Sequence, residues 1–300
     1  MAADKFRLTA DDFAPEVLSL FDKYVHGAID RRGFLDGAAK FTVGGTTAAA
    51  LLEALSPKFA QAQQVPAADA RIRTQSVEFA SPQGYGKVRA YVARPAQASG
   101  PLPVVLVVHE NRGLNPHIED IARRLALDNF IAVAPDALFP LGGYPGDEDK
   151  ARDLFAKLDQ AKTQADFVTA AGFAKGIEGG NGKLGAVGFC YGGGVVNMLA
   201  TRVPELAAGV PFYGVAPAVD KVAGVKATLL LVYADSDERV NVTFPAYEAA
   251  LKAAGVKFEA VKYPGTQHGF NNDTTPRYDE AAAKQAWSRT VALFNRVLRG

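Results

Sequence analysis

The single cysteine of the chain lies in a pattern typical of a catalytic nucleophile. Cys190 is the centre of the run from Gly188 to Gly193, Gly-Phe-Cys-Tyr-Gly-Gly, which follows an apolar run and precedes a helical pattern. A nucleophile on a sharp strand-to-helix turn needs glycines on both sides, because side chains there would collide with the neighbouring backbone. The helix that follows favours the thiolate through its positive end. We therefore predict that Cys190 attacks a carbonyl carbon.

A thiol nucleophile needs a base, and His268 is the best candidate among the four histidines. It lies in a loop directly after the last predicted strand, where it can reach the edge of the sheet that carries Cys190. An acid after the preceding strand should orient the imidazole. Asp237, three residues before Val240, fits the usual pattern best, and Asp235 is the alternative. The order Cys190, Asp237, His268 is nucleophile, acid, base.

Short apolar runs rich in β-branched residues alternate with helical patterns from residue 74 onward, which predicts an α/β protein. Nearly continuous apolar runs indicate parallel strands covered by helices on both faces. We predict the α/β-hydrolase fold, with an eight-stranded, mostly parallel sheet. The predicted strands are 75–80, 87–93, 103–109, 130–134, 183–188, 209–213, 228–234 and 257–263. The predicted helices are 119–128, two within 149–177, 191–202, 243–254 and 279–298.

The first 62 residues have a different character. Arg31 and Arg32 are followed by Gly-Phe-Leu, a weakly apolar stretch at 41–52 and the small-residue site Ala-Gln-Ala at 60–62. This order resembles a twin-arginine export signal. It predicts a signal peptide at 1–62, a linker at 63–73 and one catalytic domain at 74–300. The export machinery would be a partner and His26 would be removed.

Export implies a periplasmic or secreted protein, with the cytoplasm as the alternative location. The apolar stretch is too short to span a bilayer, so we expect no stable membrane anchor. The chain has 33 basic and 32 acidic residues, a net charge of +1, and therefore no field that would hold nucleic acid.

The chain from about residue 74 to 299 resembles the dienelactone hydrolase (carboxymethylenebutenolidase) family of α/β-hydrolases. The family is marked by cysteine in Gly-x-Cys-x-Gly-Gly and by a glutamate after the third strand, which is Glu110 here. The resemblance implies that Glu110 interacts with the resting thiol and couples substrate binding to thiolate formation. Well-known members bind a substrate carboxylate with an arginine four residues after the catalytic histidine. Asn272 occupies that position, which argues against a dienelactone carboxylate as substrate.

Acyl transfer also needs donors for the developing oxyanion. The backbone amides of Tyr191 and Asn111 are the predicted pair. A zinc motif beginning at His109 would need histidine at position 113, where the chain has glycine, so we expect no metal and no cofactor. The polar residues predicted to line the pocket are Arg112, Asn115, His117, Tyr144, Tyr213, Asn271 and Asn272.

The predicted function is therefore cysteine-dependent hydrolysis of a small-molecule ester, lactone or thioester through an acyl-thioester intermediate. Two alternatives stay open. One is a thiol-based redox protein in which Cys190 reacts with peroxide. The other is a catalytically silent α/β-hydrolase that binds a ligand.

Overall fold

The protein is described by a computed structural model that covers residues 7–42 and 45–300. Its centre is an eight-stranded sheet in the order β1-β2-β4-β3-β5-β6-β7-β8. β1 and β2 are antiparallel, as are β2 and β4, and the other neighbouring pairs are parallel. The strands are β1 Ile72–Ser81, β2 Gly86–Pro95, β3 Leu102–Val108, β4 Ile131–Pro135, β5 Gly180–Phe189, β6 Leu206–Phe212, β7 Thr228–Ser236 and β8 Phe258–Gln267. The predicted fold class is confirmed.

Helices cover both faces of the sheet, as the continuous apolar strands require. Within β3, Val104 and Leu106 belong to one buried cluster and Val105 and Val107 to the other, because successive side chains point to opposite faces. The helices of this domain are α5 Pro116–Leu127, α6 Glu148–Phe155, α7 Gln160–Lys175, α8 Tyr191–Arg202, α9 Glu238–Asn241, α10 Phe244–Ala253 and α11 Glu280–Leu298. The first cluster contains residues of α6 to α10, and the second contains residues of α5 and α11.

Residues 7–42 and 45–62, here called the N-terminal segment, contain the helices α1 Pro15–Val25, α2 Arg31–Ala38, α3 Ala48–Leu55 and α4 Phe59–Ala62. Arg31 and Arg32 open α2, where the Asp30 side chain caps the helix by accepting from the Gly33 amide at 2.7 Å. In the described parts of the chain, no helix has the length and apolar character needed to cross a membrane. The segment has its own small core, formed by Phe13, Val17, Leu18, Phe21, Tyr24, Phe34, Ala38, Leu52 and Leu55.

The stretch predicted as a linker is fixed to the catalytic domain. The backbone amides of Gln64 and Val65 donate to the carboxylate of Asp120 at 3.1 and 2.8 Å, and Val65 is buried. Asp273 accepts from the Gln64 side chain at 2.7 Å and from Arg124 at 2.6 Å. These bonds join the start of the domain to the loop that follows the predicted catalytic histidine.

Asp273 should make this junction sensitive to acid. Burial opposes its charge, but the bond with His117 and the charge of Arg124 outweigh burial and lower the pKa of Asp273 from 3.8 to about 2. The stabilisation of the fold by the Asp273 carboxylate is then present above pH 3.8 and lost as the pH falls through about 2. We expect Asp273→Asn to cost about 2 kcal/mol of unfolding free energy at pH 7 and to flatten its acid dependence.

Urea unfolding at pH 7 and at several lower pH values measures this difference. Asp36→Asn is the control, since Asp36 is exposed and should change the free energy by less than about 0.5 kcal/mol. Equal acid dependence in Asp273→Asn and the unchanged protein would contradict the prediction.

Candidate active site

Cys190 lies on a strained turn between β5 and α8. Its backbone φ of 56° and ψ of −114° fall outside the regions that residues with a Cβ usually adopt. The Cys190 amide donates to the carbonyl of Phe212 at 3.1 Å, which holds the turn against the end of β6. The residue as a whole is partly exposed. This conformation presents the thiol at the carboxyl edge of the sheet.

The glycines of the motif are required by close backbone contacts around this turn. A Cβ on Gly188 would lie 2.2 Å from the carbonyl oxygen of Gly192, and one on Gly192 would lie 2.3 Å from that of Val108. A Cβ on Gly193 would lie 2.5 Å from the carbonyl oxygen of Phe212. All three obstacles are backbone atoms, which cannot rotate away. The spacing of glycines therefore follows from the packing of β5, α8 and the adjacent strands.

We expect Gly193→Ala to destabilise the protein by about 2–3 kcal/mol, because the added methyl group forces backbone atoms apart. Gly172→Ala in α7 is the matched control, since a Cβ there meets nothing within 4 Å. That change should stabilise the helix by up to about 1 kcal/mol. Chemical unfolding of both variants measures the two changes in unfolding free energy. Equal stability of the two variants would show that the turn tolerates a side chain.

The structure brings together the three residues predicted as nucleophile, acid and base. His268 Nδ1 donates to Asp237 Oδ2 at 2.6 Å, and both residues are buried. This bond fixes the tautomer and turns Nε2 toward the thiol. Among the described residues, buried Nε2 has no hydrogen-bond partner, and a ring nitrogen of His268 lies within 4.8 Å of Cys190 Sγ. Asp235 is exposed and contacts the Gly265 amide and Lys262, so Asp237 is the carboxylate at the imidazole.

Electrostatics favour an ion pair between the Cys190 thiolate and the His268 imidazolium. Burial opposes a charged thiol, but the neighbouring imidazoles of His268 and His26 outweigh it and hold the pKa of Cys190 well below its usual value. Burial also opposes a charged His268, but the Cys190 thiolate and the bond to Asp237 raise the pKa of this imidazole. The arrangement thus supports a thiolate at neutral pH.

The predicted oxyanion donors border the thiol. Tyr191 is the first residue of α8, so its amide has no acceptor within the helix. Asn111 lies in the loop after β3, and its side-chain amide donates to the Val25 carbonyl at 2.8 Å. Asn111, Cys190 and Tyr191 line the same groove. The binding of the oxyanion by these two backbone amides therefore stays a prediction.

Glu110 and Asn272 are directly connected. The Asn272 side-chain amide donates to Glu110 Oε2 at 2.9 Å, and its oxygen accepts from the Thr274 amide at 3.0 Å. Both residues line the cavity that Cys190 borders. Asn272 therefore positions the glutamate of the motif and is itself held by the loop after His268.

Arg112 is buried in the wall of the same cavity. It donates to the Val25 carbonyl at 3.1 Å, and its Nε lies 3.6 Å from Glu148. Tyr144 also lines the cavity and donates to Glu148 at 2.8 Å. Arg112 and Tyr144 thus both line the cavity beside Cys190, and their part in substrate binding stays a prediction.

Four other polar residues that the sequence predicts at the pocket do not line this cavity: Asn115, His117, Tyr213 and Asn271. Asn115 caps α5 by accepting from the Ile118 amide, and buried His117 lies 3.2 Å from Asp273. Asn271 borders a separate cavity with Trp287, and Tyr213 packs against the His268 ring with centroids 4.9 Å apart. The expectation for these residues rested on loop position, which does not fix the direction of a side chain.

His26 is the residue that sequence reasoning missed. The export pattern predicts its removal with a signal peptide, but its Nε2 lies 3.5 Å from Cys190 Sγ. Its ring meets that of His268 edge to face, with centroids 4.7 Å apart. The spacing of Asp22 and His26 at the end of an amphipathic helix was the available signal, since residues four apart share a helix face.

Cys190 borders a polar cavity on one side and a more apolar groove on the other, and His26 lines both. The N-terminal segment forms part of the polar cavity, which has a volume of about 370 Å³. The polar cavity is lined by Tyr24, Phe59, Glu110, Arg112, Glu148 and Arg277 among others. The groove is lined by Tyr191, Val195, Met198, Val215, Ala216 and Pro217 among others.

His26, Cys190 and His268 also supply the donor types that zinc prefers, with their ligand atoms within 4.8 Å of one another. The sequence predicts no metal site. The same three atoms are those required for thiolate chemistry, and the strained turn at Cys190 is a specific requirement of a nucleophile.

Comparison with known proteins agrees with this geometry. The model of the dienelactone hydrolase family matches residues 88–298. The chain belongs to the dienelactone hydrolase family. This membership confirms the prediction of an enzyme of the ester or lactone hydrolase class. A second family model, described as YqhI-like, matches residues 4–40 within the N-terminal part of the chain.

Individual relatives of this dienelactone hydrolase family member cover most of its length. A protein of Escherichia coli K12, provisionally named carboxymethylenebutenolidase, is 36% identical over 220 residues, 68% of this chain and 81% of the relative. A protein of Methylorubrum extorquens with the same provisional name is 33% identical over 277 residues, 86% and 94% of the two chains. The crystal structure of a provisionally named dienelactone hydrolase from Klebsiella pneumoniae is similar with a TM-score of 0.66 and 33% identity, covering 75% of this chain and 99% of the other.

Proposed function

We propose that the protein hydrolyses small-molecule esters or lactones with Cys190 as the nucleophile. The observation that supports this most directly is the Cys190 thiol on its strained turn, with buried His268 Nε2 unpartnered among the described residues. The bond from His268 to Asp237 completes the arrangement. The set supplies a nucleophile, a proton carrier and an orienting carboxylate.

The first half of the proposed reaction is acylation. The Cys190 thiolate forms a bond to the carbonyl carbon of the substrate, and the carbonyl electron pair moves onto oxygen. The amides of Tyr191 and Asn111 stabilise this oxyanion. The imidazolium of His268 then gives its proton to the departing alkoxide, and the carbon–oxygen bond of the ester breaks. A thioester on Cys190 remains.

The second half is hydrolysis of the thioester. Neutral His268, held by Asp237, takes a proton from water while the water oxygen bonds to the thioester carbon. The carbon–sulfur bond breaks, and the thiolate leaves because it is stabilised by the adjacent imidazolium. The acid product departs and the resting pair is restored. In a lactone, the alcohol and acid products stay joined as one hydroxy acid.

The two spaces beside Cys190 favour a substrate with two parts. The acyl carbon must lie at the sulfur, so one part extends into the polar cavity and the other along the apolar groove. Asn272 is bound to Glu110 and replaces the arginine expected of family members that bind a dienelactone carboxylate. We therefore propose an ester or lactone that does not depend on that arginine.

The proposed function is tested by assaying aryl esters of increasing acyl length, several lactones and thioesters, and hydrogen peroxide. We expect turnover of at least one ester or lactone and no catalytic consumption of peroxide. Consumption of peroxide without ester cleavage would favour the thiol-redox alternative. Tight binding of esters with no turnover would favour a silent binding protein.

Export through the twin-arginine machinery stays a prediction, as does a periplasmic or secreted location. Cleavage after Ala62 would remove helices that contact the catalytic domain, and these contacts argue against it. Fusion of residues 1–65 to a reporter tests export, and the intact mass of the protein recovered outside the cytoplasm tests cleavage. A reporter that stays in the cytoplasm would rule out the signal.

A further inference from the structure

We propose that His26 of the N-terminal segment is a further catalytic residue, which shares a proton with the Cys190 thiol and so maintains the nucleophile as a thiolate. The inference deepens the proposed function and rests on the same thiol. It assigns the N-terminal segment a part in the active site.

The geometry places the His26 imidazole directly at the reacting atom. Nε2 lies 3.5 Å from Cys190 Sγ, a hydrogen-bond distance for sulfur. On the other side of the ring, Nδ1 lies 2.8 Å from the Asp22 carbonyl and 3.3 Å from its carboxylate. His26 thus resembles His268: each has a carboxylate behind Nδ1 and directs Nε2 toward the thiol.

Several bonds hold His26 in this position. The Val25 carbonyl accepts from Asn111 at 2.8 Å and from Arg112 at 3.1 Å, so the end of α1 is tied to the loop after β3. Arg277 lies 3.3 Å from the Asp22 carboxylate. The position of His26 is therefore fixed from the catalytic domain at two points.

The next helix of the segment is also attached to the domain. Arg31 donates to Asp149 at 3.1 Å, and the hydroxyl of Tyr24 donates to the same carboxylate. Phe21, Tyr24 and Phe34 pack together in the core of the segment. Packing and ion pairs therefore orient α1 before any substrate is present, which reduces the entropic cost of aligning His26.

The proton balance of this pair is simple. In the neutral state Cys190 S–H donates to Nε2, and in the charged state the proton has moved to His26 and the sulfur is a thiolate. Burial opposes the imidazolium, but the bonds with Asp22 and Cys190 outweigh burial and raise the pKa of His26 to about 10. The charged form should therefore persist through the pH range in which esters are assayed.

Arg239 is the cation that opposes this state. Its Nη2 lies 3.1 Å from His26 Nε2, so it competes with the Cys190 S–H for the one lone pair of neutral Nε2 and must turn outward when the imidazole is charged. Its side chain is exposed and has room to do so. The titratable and charged groups that face His26 from the surrounding elements are Asp22, Cys190, Arg239, His268 and Arg277, with Glu110 and Arg112 in the adjoining wall.

Two imidazoles allow two separate tasks. His268 gives its proton to the departing alkoxide during acylation and must then be neutral to accept a proton from water during deacylation, whereas a thiolate needs a nearby positive charge. If His26 stays protonated, a positive charge remains beside the sulfur while His268 changes its protonation state within each turnover. His26 also lines both spaces beside Cys190, so an acyl group on the sulfur lies against its ring.

The test is the pH dependence of Cys190 alkylation by iodoacetamide, followed by intact mass. The chain has one cysteine, so the readout reports this thiol alone. We expect His26→Gln to lower the alkylation rate at pH 6 by about tenfold, corresponding to a rise of about one unit in the thiol pKa. The value of kcat/KM should fall by a similar factor at pH 6, and the difference should shrink toward pH 9.

Two further variants sharpen the result. Asp22→Asn keeps the size of the residue behind His26 and removes its charge, so it should shift the alkylation profile in the same direction by a smaller amount. It also reports on the pair if His26→Gln fails to fold. His117→Gln is the matched control, because it removes a buried imidazole next to a carboxylate that does not border Cys190, and its alkylation profile should be unchanged.

The outcomes separate this inference from the proposed function. An unchanged thiol titration in both His26→Gln and Asp22→Asn overturns the role of His26, even if the enzyme cleaves esters. Faster alkylation and faster turnover in His26→Gln also overturn it, since the residue would then block the thiol. A shifted titration in a protein that cleaves no ester supports the pair and contradicts the proposed function.

Discussion

Cys190→Ala is expected to lower kcat/KM for ester or lactone hydrolysis by about 10⁴-fold or more. The activity that remains is what substrate binding and the oxyanion donors supply without a nucleophile. The alanine keeps the strained turn and removes the only thiol in the chain. The other groups of the site then have no nucleophile to activate. Initial rates on the best substrate of the ester and lactone panel measure the effect.

Cys190→Ser is the informative companion of this variant. Serine retains a nucleophilic atom, but its hydroxyl is not ionised beside an imidazole as a thiol is, so activity should remain far below that of the unchanged protein. Circular dichroism and thermal unfolding should be unchanged in both variants. Full activity of a folded Cys190→Ala protein would remove the basis of the mechanism.

The second large effect is expected for Asp237→Asn, a loss of about 10²- to 10⁴-fold in kcat. The asparagine keeps the size of the side chain but can turn its amide group toward His268 Nδ1, which would select the wrong tautomer of the imidazole. His268 Nδ1 now donates to Asp237 at 2.6 Å in a buried setting, so no water replaces the lost acceptor. Steady-state kinetics on the same substrate measure the change.

Asp235→Asn provides the matched control two residues away. Its carboxylate is exposed and contacts the Gly265 amide and Lys262, away from the imidazole. The variant should change kcat by less than about twofold, because an exposed ion pair contributes little. Loss of activity in Asp235→Asn with full activity in Asp237→Asn would reverse the assignment of the acid.

The α/β core was predictable because its signals are local. The apolar run of β3 and the glycines around Cys190 each have one physical explanation, namely burial on both faces and close backbone approach. The ends of elements were less predictable. β8 extends past Pro264 and Gly265 to Gln267, because β8 has two more residues than β7 between the pairs Ala234–Tyr263 and Ser236–Gln267. No property of residues 264–267 alone indicates that pairing.

The proposed acid and base could be chosen from their positions after strands, because parallel strands bring their carboxyl ends to one edge. The direction in which each side chain points could not be predicted from position after a strand. Tyr213 follows β6 as predicted, but its positive φ of 37° accompanies a ring that packs against His268 and does not line the cavity. Asn271 and Asn272 are neighbours in sequence and border different cavities.

The N-terminal segment shows the clearest limit of sequence reasoning. Arg31, Arg32 and the small residues after them match an export pattern, and the same residues are compatible with short amphipathic helices. The deciding contacts join His26 to Cys190, which are 164 residues apart in the chain. Such contacts depend on tertiary packing, which periodicity does not encode.

In the proposed mechanism, Cys190 carries the acyl group during turnover. The most direct test of this step is to mix the enzyme with an activated ester, quench with acid before the steady state and locate the added mass by peptide mass spectrometry. We predict an acyl group on the peptide that contains Cys190, longer-lived in Asp237→Asn. Turnover with the acyl group on another residue, or a burst that is unchanged in Cys190→Ala, would contradict the account.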